Sequence, residues 1–155
     1  MEGRGDMSIV SLISEERVKV PLESTTKREV IKELIDILLA SGDITEAELA
    51  FMDVMEREAK GSTGLEFGVA IPHAKTSTVK TLTMAIGIAR NGIDFDSIDG
   101  RPARLFFLLL APPDQSGPHI EALSEIARLM QSESFIRELL DAPDSAAVVR
   151  LFREE

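Results

Sequence analysis

The run from Ala103 to Ala111 constrains this chain more than any other stretch. Leu105, Phe106, Phe107, Leu108, Leu109 and Leu110 leave it no polar face, so something apolar must cover it on both sides. Even extended to Pro113 it is far too short to cross a bilayer. Pro112-Pro113 then closes it with a polar loop running to Gly117. The reading is a central strand with helices above and below.

The flanking sequence supplies those helices. Thr26 and Glu29 have capping-box spacing, and Val30, Ile31, Leu34, Ile35 and Leu38 follow on one helical face that Gly42 ends. A second helix is expected from Thr45 as cap, with Phe51, Met52, Met55 and Ala59 as its apolar stripe and Arg57 opposite, on a solvated face. Pro118 opens a third helix with His119 in its first turn and Ile120, Leu123, Ala127 and Met130 facing the core. Ser132 starts a fourth with Phe135, Ile136 and Leu139, and Asp144 or Ser145 a last one with Val148, Val149 and Leu151. Val18 and Val20 alternate with charged residues in a short strand. Leu82, Met84, Ile86 and Ile88 form a strand with one buried face. Turns are expected at Asn91-Gly92 and Asp99-Gly100, with an extended piece from Ile93 to Asp96 between them. Together these predict an α/β single domain, a mixed central β-sheet flanked by α-helices on both faces, over residues 9–155, with 1–8 as a flexible tail.

Composition removes several functions. The chain has 155 residues, 27 of them acidic against 17 basic, for a net charge of −10. No basic run offsets that balance, which argues against a nucleic-acid partner. Cysteine is absent, which excludes disulfides and thiolate metal sites. Neither a secretory signal nor a membrane-inserted segment is expected, and the cytoplasm is the expected location.

Chemistry concentrates between Gly61 and Lys75, Gly-Ser-Thr-Gly-Leu-Glu-Phe-Gly-Val-Ala-Ile-Pro-His-Ala-Lys. Glycines let the backbone approach an anion with its amides inward, and Pro72 stiffens the approach to His73. The only other histidine, His119, sits at a helix start, where free amides and the helix dipole favour an anion. Zinc would want three or four ligands; a metal here would have to use both histidines with a carboxylate such as Glu66 or Asp114. Neither a P-loop nor a G-x-S-x-G elbow is present. A nucleophilic histidine remains: neutral imidazole carries a lone pair able to attack phosphorus, with loop amides, Thr63, Arg57 and the His119 helix start as donors to the phosphoryl oxygens.

The segment Ser62 to Lys75 resembles the active-site signature of the fructose/mannitol-type enzyme IIA domains, phosphocarriers of the phosphoenolpyruvate:sugar phosphotransferase system. The similarity continues through Gly92-Ile-Asp-Phe-Asp-Ser-Ile-Asp-Gly100, the strand to Ala111, and His119-Ile-Glu-Ala-Leu123, covering about 20–150. The resemblance implies that His73 takes a phosphoryl group from the carrier protein HPr and passes it to an enzyme IIB, usually onto a cysteine there. It implies an arginine clamp at Arg57, a second active-site histidine at His119, and phosphate contacts around Thr63 and Gly64, with neither metal nor cofactor. A regulatory, nitrogen-related branch shares the motif. Ala74-Lys75 and the Gly92 to Gly100 stretch lean toward the fructose branch. The chain departs from the pattern at Glu66-Phe67, where the family usually carries small or neutral residues.

Overall fold

In the computed structural model, which describes residues 8–154, the run from Ala103 to Ala111 is strand β5, buried except at Arg104. Strand β4, Thr83–Ile93, lies antiparallel on one side of it. The two-residue β1, Val18–Lys19, runs parallel to the outer side of β4. On the other side of β5 run β2, Val69–Ala70, and β3, His73–Lys75, both parallel to it. The result is a mixed five-stranded sheet with the order β1-β4-β5 and then β2 and β3 sharing one edge.

Side-chain alternation along β5 decides the layers. Leu105, Phe107 and Leu109 point to a core shared with α3 (Ser116–Leu129), α4 (Glu133–Leu140) and α5 (Ser145–Arg153). Phe106, Leu108 and Leu110 point the other way, into a core closed by α1 (Lys27–Ala40) and α2 (Ala47–Glu58). Each such fully buried side chain contributes about 1.5–3 kcal/mol of transfer free energy. The α/β layering expected from the apolar run is therefore what forms. No helix among the described residues is long and apolar enough to cross a membrane.

Helix ends follow their caps. Thr26 Oγ1 accepts from the Glu29 amide at 3.2 Å, and Ser132 and Asp144 cap α4 and α5 in the same way. Gly42, at φ +84°, closes α1, with the Asp43 amide donating back to the Leu38 carbonyl at 3.0 Å.

Several expectations shift by a residue or a face. The cap of α2 is Glu46, not Thr45, and its buried line is Ala50, Val54 and Glu58; Met52 is 64% exposed. Small residues let α2 sit close to the sheet, so the larger Phe51 and Met55 pack at the margin. Helix α3 begins at Ser116, placing Pro118 third in it, and buries His119, Ala122 and Ile126 in place of Ile120 and Ala127. Strand β4 is buried on both faces, because Ala85, Gly87 and Ala89 leave room for α1 and Leu22 on the second face. Asn91-Gly92 is a bulge inside β4, not a turn, and the strand continues to Ile93. Short 3-10 turns at Ile9–Leu12 and Glu15–Arg17 precede β1, and Ser8 caps the first of them. The remainder of the expected tail, 1–7, lies outside the described residues.

Candidate active site

Pro72 splits one edge of the sheet. β2 pairs with Leu105 and Phe106, β3 pairs with Leu109 to Ala111, and Ile71-Pro72 bridges the gap. Proline has no N–H for a ladder, but its carbonyl accepts from the Leu109 amide at 3.0 Å, which anchors the bridge. His73 follows at once, opposite Leu109, and is half-buried.

The His73 ring is fixed by a hydrogen bond of 2.7 Å between Nδ1 and the Ile71 carbonyl oxygen. A carbonyl only accepts, so Nδ1 carries the proton and Nε2 carries the lone pair. Behind this contact runs a chain of further bonds. The Ile71 amide donates to the Thr63 carbonyl at 3.0 Å. Thr63 in turn donates its amide and its hydroxyl to Glu58, at 2.8 and 2.6 Å. Lys27 Nζ, from α1, stands 2.9 Å from the same buried carboxylate. Two helices thus set the orientation of one imidazole through a loop.

His119 enters from the first turn of α3. It is 5% exposed, and its ring meets that of His73 edge to face, centroids 5.4 Å apart and planes at 76°. Its Nε2 is buried without a hydrogen-bond partner. Burial, with His73 and Lys75 close by, lowers its pKa to about 4. Burial also lowers the pKa of His73; the bond to Ile71 opposes this, Arg57 adds to it and Glu58 opposes it. Both rings are therefore neutral near pH 7.

Arg57 comes from the last turn of α2, and its Nη1 donates to the Gly61 carbonyl at 2.9 Å. It makes no ion pair among the described residues. Arg57, His73 and His119 line one depression of about 330 Å³ with Lys60, Lys75, Asp53 and Glu56 on its rim. Arg57 thus borders this depression, where helix periodicity alone leaves it on a solvated face.

Thr63 and Gly64 are placed differently. Both donors of Thr63 are occupied by Glu58, and the Gly64 amide donates to Ser62 Oγ at 3.0 Å. Thr63 supports the His73 approach from behind, while Gly64 packs on Ser97, where a Cβ would come within 2.9 Å of that residue's Cα. Glu66 is exposed and does not line the His73 depression. Among the described residues no three His, Asp or Glu side chains cluster in a way that could hold a metal. Glu58 escaped sequence reasoning, yet its spacing four residues after Val54 and eight after Ala50 puts it on the buried line of α2.

Residues 11–155 match the profile of the family described as the phosphoenolpyruvate-dependent sugar phosphotransferase system, EIIA 2. The chain is 33% identical to a fructose-specific EIIABC component from Bacillus subtilis, over 96% of this chain but 23% of that protein. It is 33% identical to a fructose-specific EIIA component from Haloferax volcanii, covering 96% of this chain and 97% of the relative. A nitrogen regulatory protein from Bradyrhizobium diazoefficiens is also 33% identical, covering 92% of each. Among solved structures, nitrogen regulatory protein IIA-Ntr from Neisseria meningitidis superposes with a TM-score of 0.84 at 31% identity, over 92% of this chain and 97% of that one. The mannitol enzyme IIA of Escherichia coli, solved in complex with phosphorylated enzyme IIB, shares the fold with a TM-score of 0.78 at 21% identity, over 92% of this chain and 98% of that one.

Proposed function

The chain belongs to the phosphoenolpyruvate-dependent sugar phosphotransferase system EIIA 2 family, whose members are phosphotransfer proteins, and from that premise we propose that His73 is its phosphoryl carrier. The observation that carries this reading is the bond from His73 Nδ1–H to the Ile71 carbonyl, which leaves the Nε2 lone pair free. Nε2 attacks the phosphorus of phosphohistidine on HPr; the donor's N–P bond breaks as the new one forms. The phosphoryl group then leaves for an enzyme IIB, whose cysteine thiolate is the acceptor. A phosphoryl group in flight carries its charge on oxygens, so donors fixed before it arrives lower the barrier most. The Arg57 guanidinium clamps those oxygens, and His119 Nε2, otherwise unpartnered, completes its hydrogen bonding on one of them. Thr63 acts through Ile71, not on the phosphate itself. The domain spans 9–155 and works in the cytoplasm, as its donor does.

The reading favoured is uptake of a fructose- or mannitol-type sugar, supported by the near full-length fructose-specific relative. A second reading has a specific observation behind it: the likeness to nitrogen regulatory proteins is equally full-length, at 0.84 in TM-score. There, phosphorylation of the same histidine would govern binding to protein partners. Incubation with enzyme I, HPr and labelled phosphoenolpyruvate tests the shared core. Acid-labile label should appear on the protein and be absent from His73→Ala; label retained in His73→Ala but lost in His119→Ala would reverse the assignment. Transfer onward to a fructose-type enzyme IIB then separates the two branches.

A further inference from the structure

Phe67 sits in a backbone conformation that suits it poorly. Its φ is +62°, a region bulky side chains rarely occupy, and the residue is 45% exposed. It stands, bulky, where the resemblance leads one to expect a small residue. The turn around it is nonetheless well tied. Asp99 accepts from the Phe67 amide at 3.2 Å through one carboxylate oxygen and from the Arg101 amide at 3.0 Å through the other. The Gly68 carbonyl accepts from the Arg104 and Leu105 amides at 2.8 and 3.0 Å.

The ring of Phe67 lines a groove of about 380 Å³ between this turn, the start of β5 and α4. Arg101, Arg104 and Arg137 line it too, with Ile136 and Leu140 as apolar surface. Glu133 is the one acid in the lining, so three guanidinium groups face a single carboxylate on a chain of net charge −10. None of the three arginines makes an ion pair among the described residues. The groove is separate from the His73 depression: Arg104 and Leu109, which mark the two sites along β5, lie roughly 17 Å apart at strand spacing.

We propose that this groove is a second ligand site, for a small organic phosphate with a planar ring, of the nucleoside phosphate class. Guanidinium groups bind phosphate in paired, directional hydrogen bonds, and three of them without carboxylate partners favour a multiply charged anion. The exposed face of Phe67 offers the stacking surface for a base, next to the apolar side chains of Ile136 and Leu140. A bare sugar phosphate would leave that apolar surface unmatched. The volume lies within the range of pockets for small organic ligands.

The test is a titration of the full chain with AMP and ATP, followed by calorimetry and by amide NMR shifts. Inorganic phosphate, adenosine and fructose 1-phosphate are run beside them. The expected result is saturable binding of a nucleotide below about 1 mM, with shifts centred on Phe67, Gly68, Arg101, Arg104 and Arg137 and none at His73. Phe67→Asn, which tolerates the same φ, should weaken binding about tenfold. The exposed pair Arg104→Gln with Arg137→Gln should weaken it by about a hundredfold. Equal binding of inorganic phosphate would mean an adventitious ion only, and overturns the proposal. So would equal binding of the sugar phosphate, shifts centred on His73 and Arg57, no binding at millimolar nucleotide, or full affinity in a folded Phe67→Asn. These outcomes leave the role of His73 untouched, because its readout is phosphoryl transfer.

Discussion

The His119 ring stands edge to face with that of His73 at 5.4 Å, and both imidazoles are held neutral by burial. Their neutrality has a consequence for folding. The unfolded chain protonates His119 near pH 6.5, whereas the folded chain resists it until about pH 4. Between those values the unfolded state binds more protons, so stability falls as the pH falls. Urea unfolding at pH 7 and pH 5 should differ by about 2 kcal/mol from this residue, with His73 adding in the same direction. The lowered carboxylates Asp43 and Glu33 lose their contribution only at more acidic pH. In His119→Gln the difference between pH 7 and pH 5 should shrink to that of His73; an unchanged slope would assign it elsewhere.

Arg57 reaches the His73 depression while making one hydrogen bond to a backbone carbonyl. Arg57→Ala should therefore unfold within about 1 kcal/mol of the parent protein. Phosphorylation from phospho-HPr should nonetheless slow by roughly a hundredfold, the scale of losing one preorganised donor. Transfer at the parent rate would return Arg57 to an ordinary surface role.

Glu58 reaches His73 by hydrogen bonds through Thr63 and Ile71, beside the field of its charge, which makes it a positioning residue. An amide in its place presents one acceptor oxygen and an NH2 group that only donates, so Thr63 loses one of its two acceptors. Glu58→Gln is expected to slow phosphorylation at least tenfold. Nitrogen NMR of the His73 ring gives a readout that plain destabilisation would not move: the Nδ1–H tautomer should become mixed. Glu58→Asp, keeping the charge, should recover part of both effects.

The left-handed backbone at Phe67 predicts a gain where a substitution would ordinarily lose. Phe67→Asn should raise stability by about 0.5–1 kcal/mol in denaturant unfolding. A loss of stability instead would mean that the ring makes packing contacts worth more than its strain.

Gly64 gives the opposite sign. A Cβ there would meet Ser97 Oγ at 2.5 Å and its Cα at 2.9 Å, and backbone cannot move aside cheaply. Gly64→Ala should cost about 1–3 kcal/mol, seen as a lowered unfolding midpoint.

How far the sequence reached depended on which force wrote each element. The fully apolar run at β5 and the periodic α1 and α4 form as their patterns require, because burial alone decides them. α2 and α3 are rotated from their apparent stripes, since Ala50 and Ala122 permit close packing that hydrophobicity does not announce. Asn91-Gly92 has turn chemistry, yet the ladder with β5 resumes at Ile93 and absorbs it as a bulge. In the candidate site, loop composition and helix starts pointed to His73 and His119. The bond chain from Lys27 through Glu58 was not legible, because a buried acid inside an amphipathic helix looks like any surface glutamate until its partners are known.

The segment from Thr63 to Leu65, bonded along the outside of β2, also bears on how this molecule behaves in a crowd. β2 and β3 form an outer edge of the sheet, where a continuous strand would offer a row of free amides and carbonyls to any extended chain passing by. Here the row along β2 is already taken, because the Leu65 amide donates to the Val69 carbonyl at 2.7 Å and the Ile71 amide to the Thr63 carbonyl at 3.0 Å, and β3 adds only three residues beyond it. The turn that carries Thr63 and backs the approach to the histidine thus also covers this edge against self-association by strand addition.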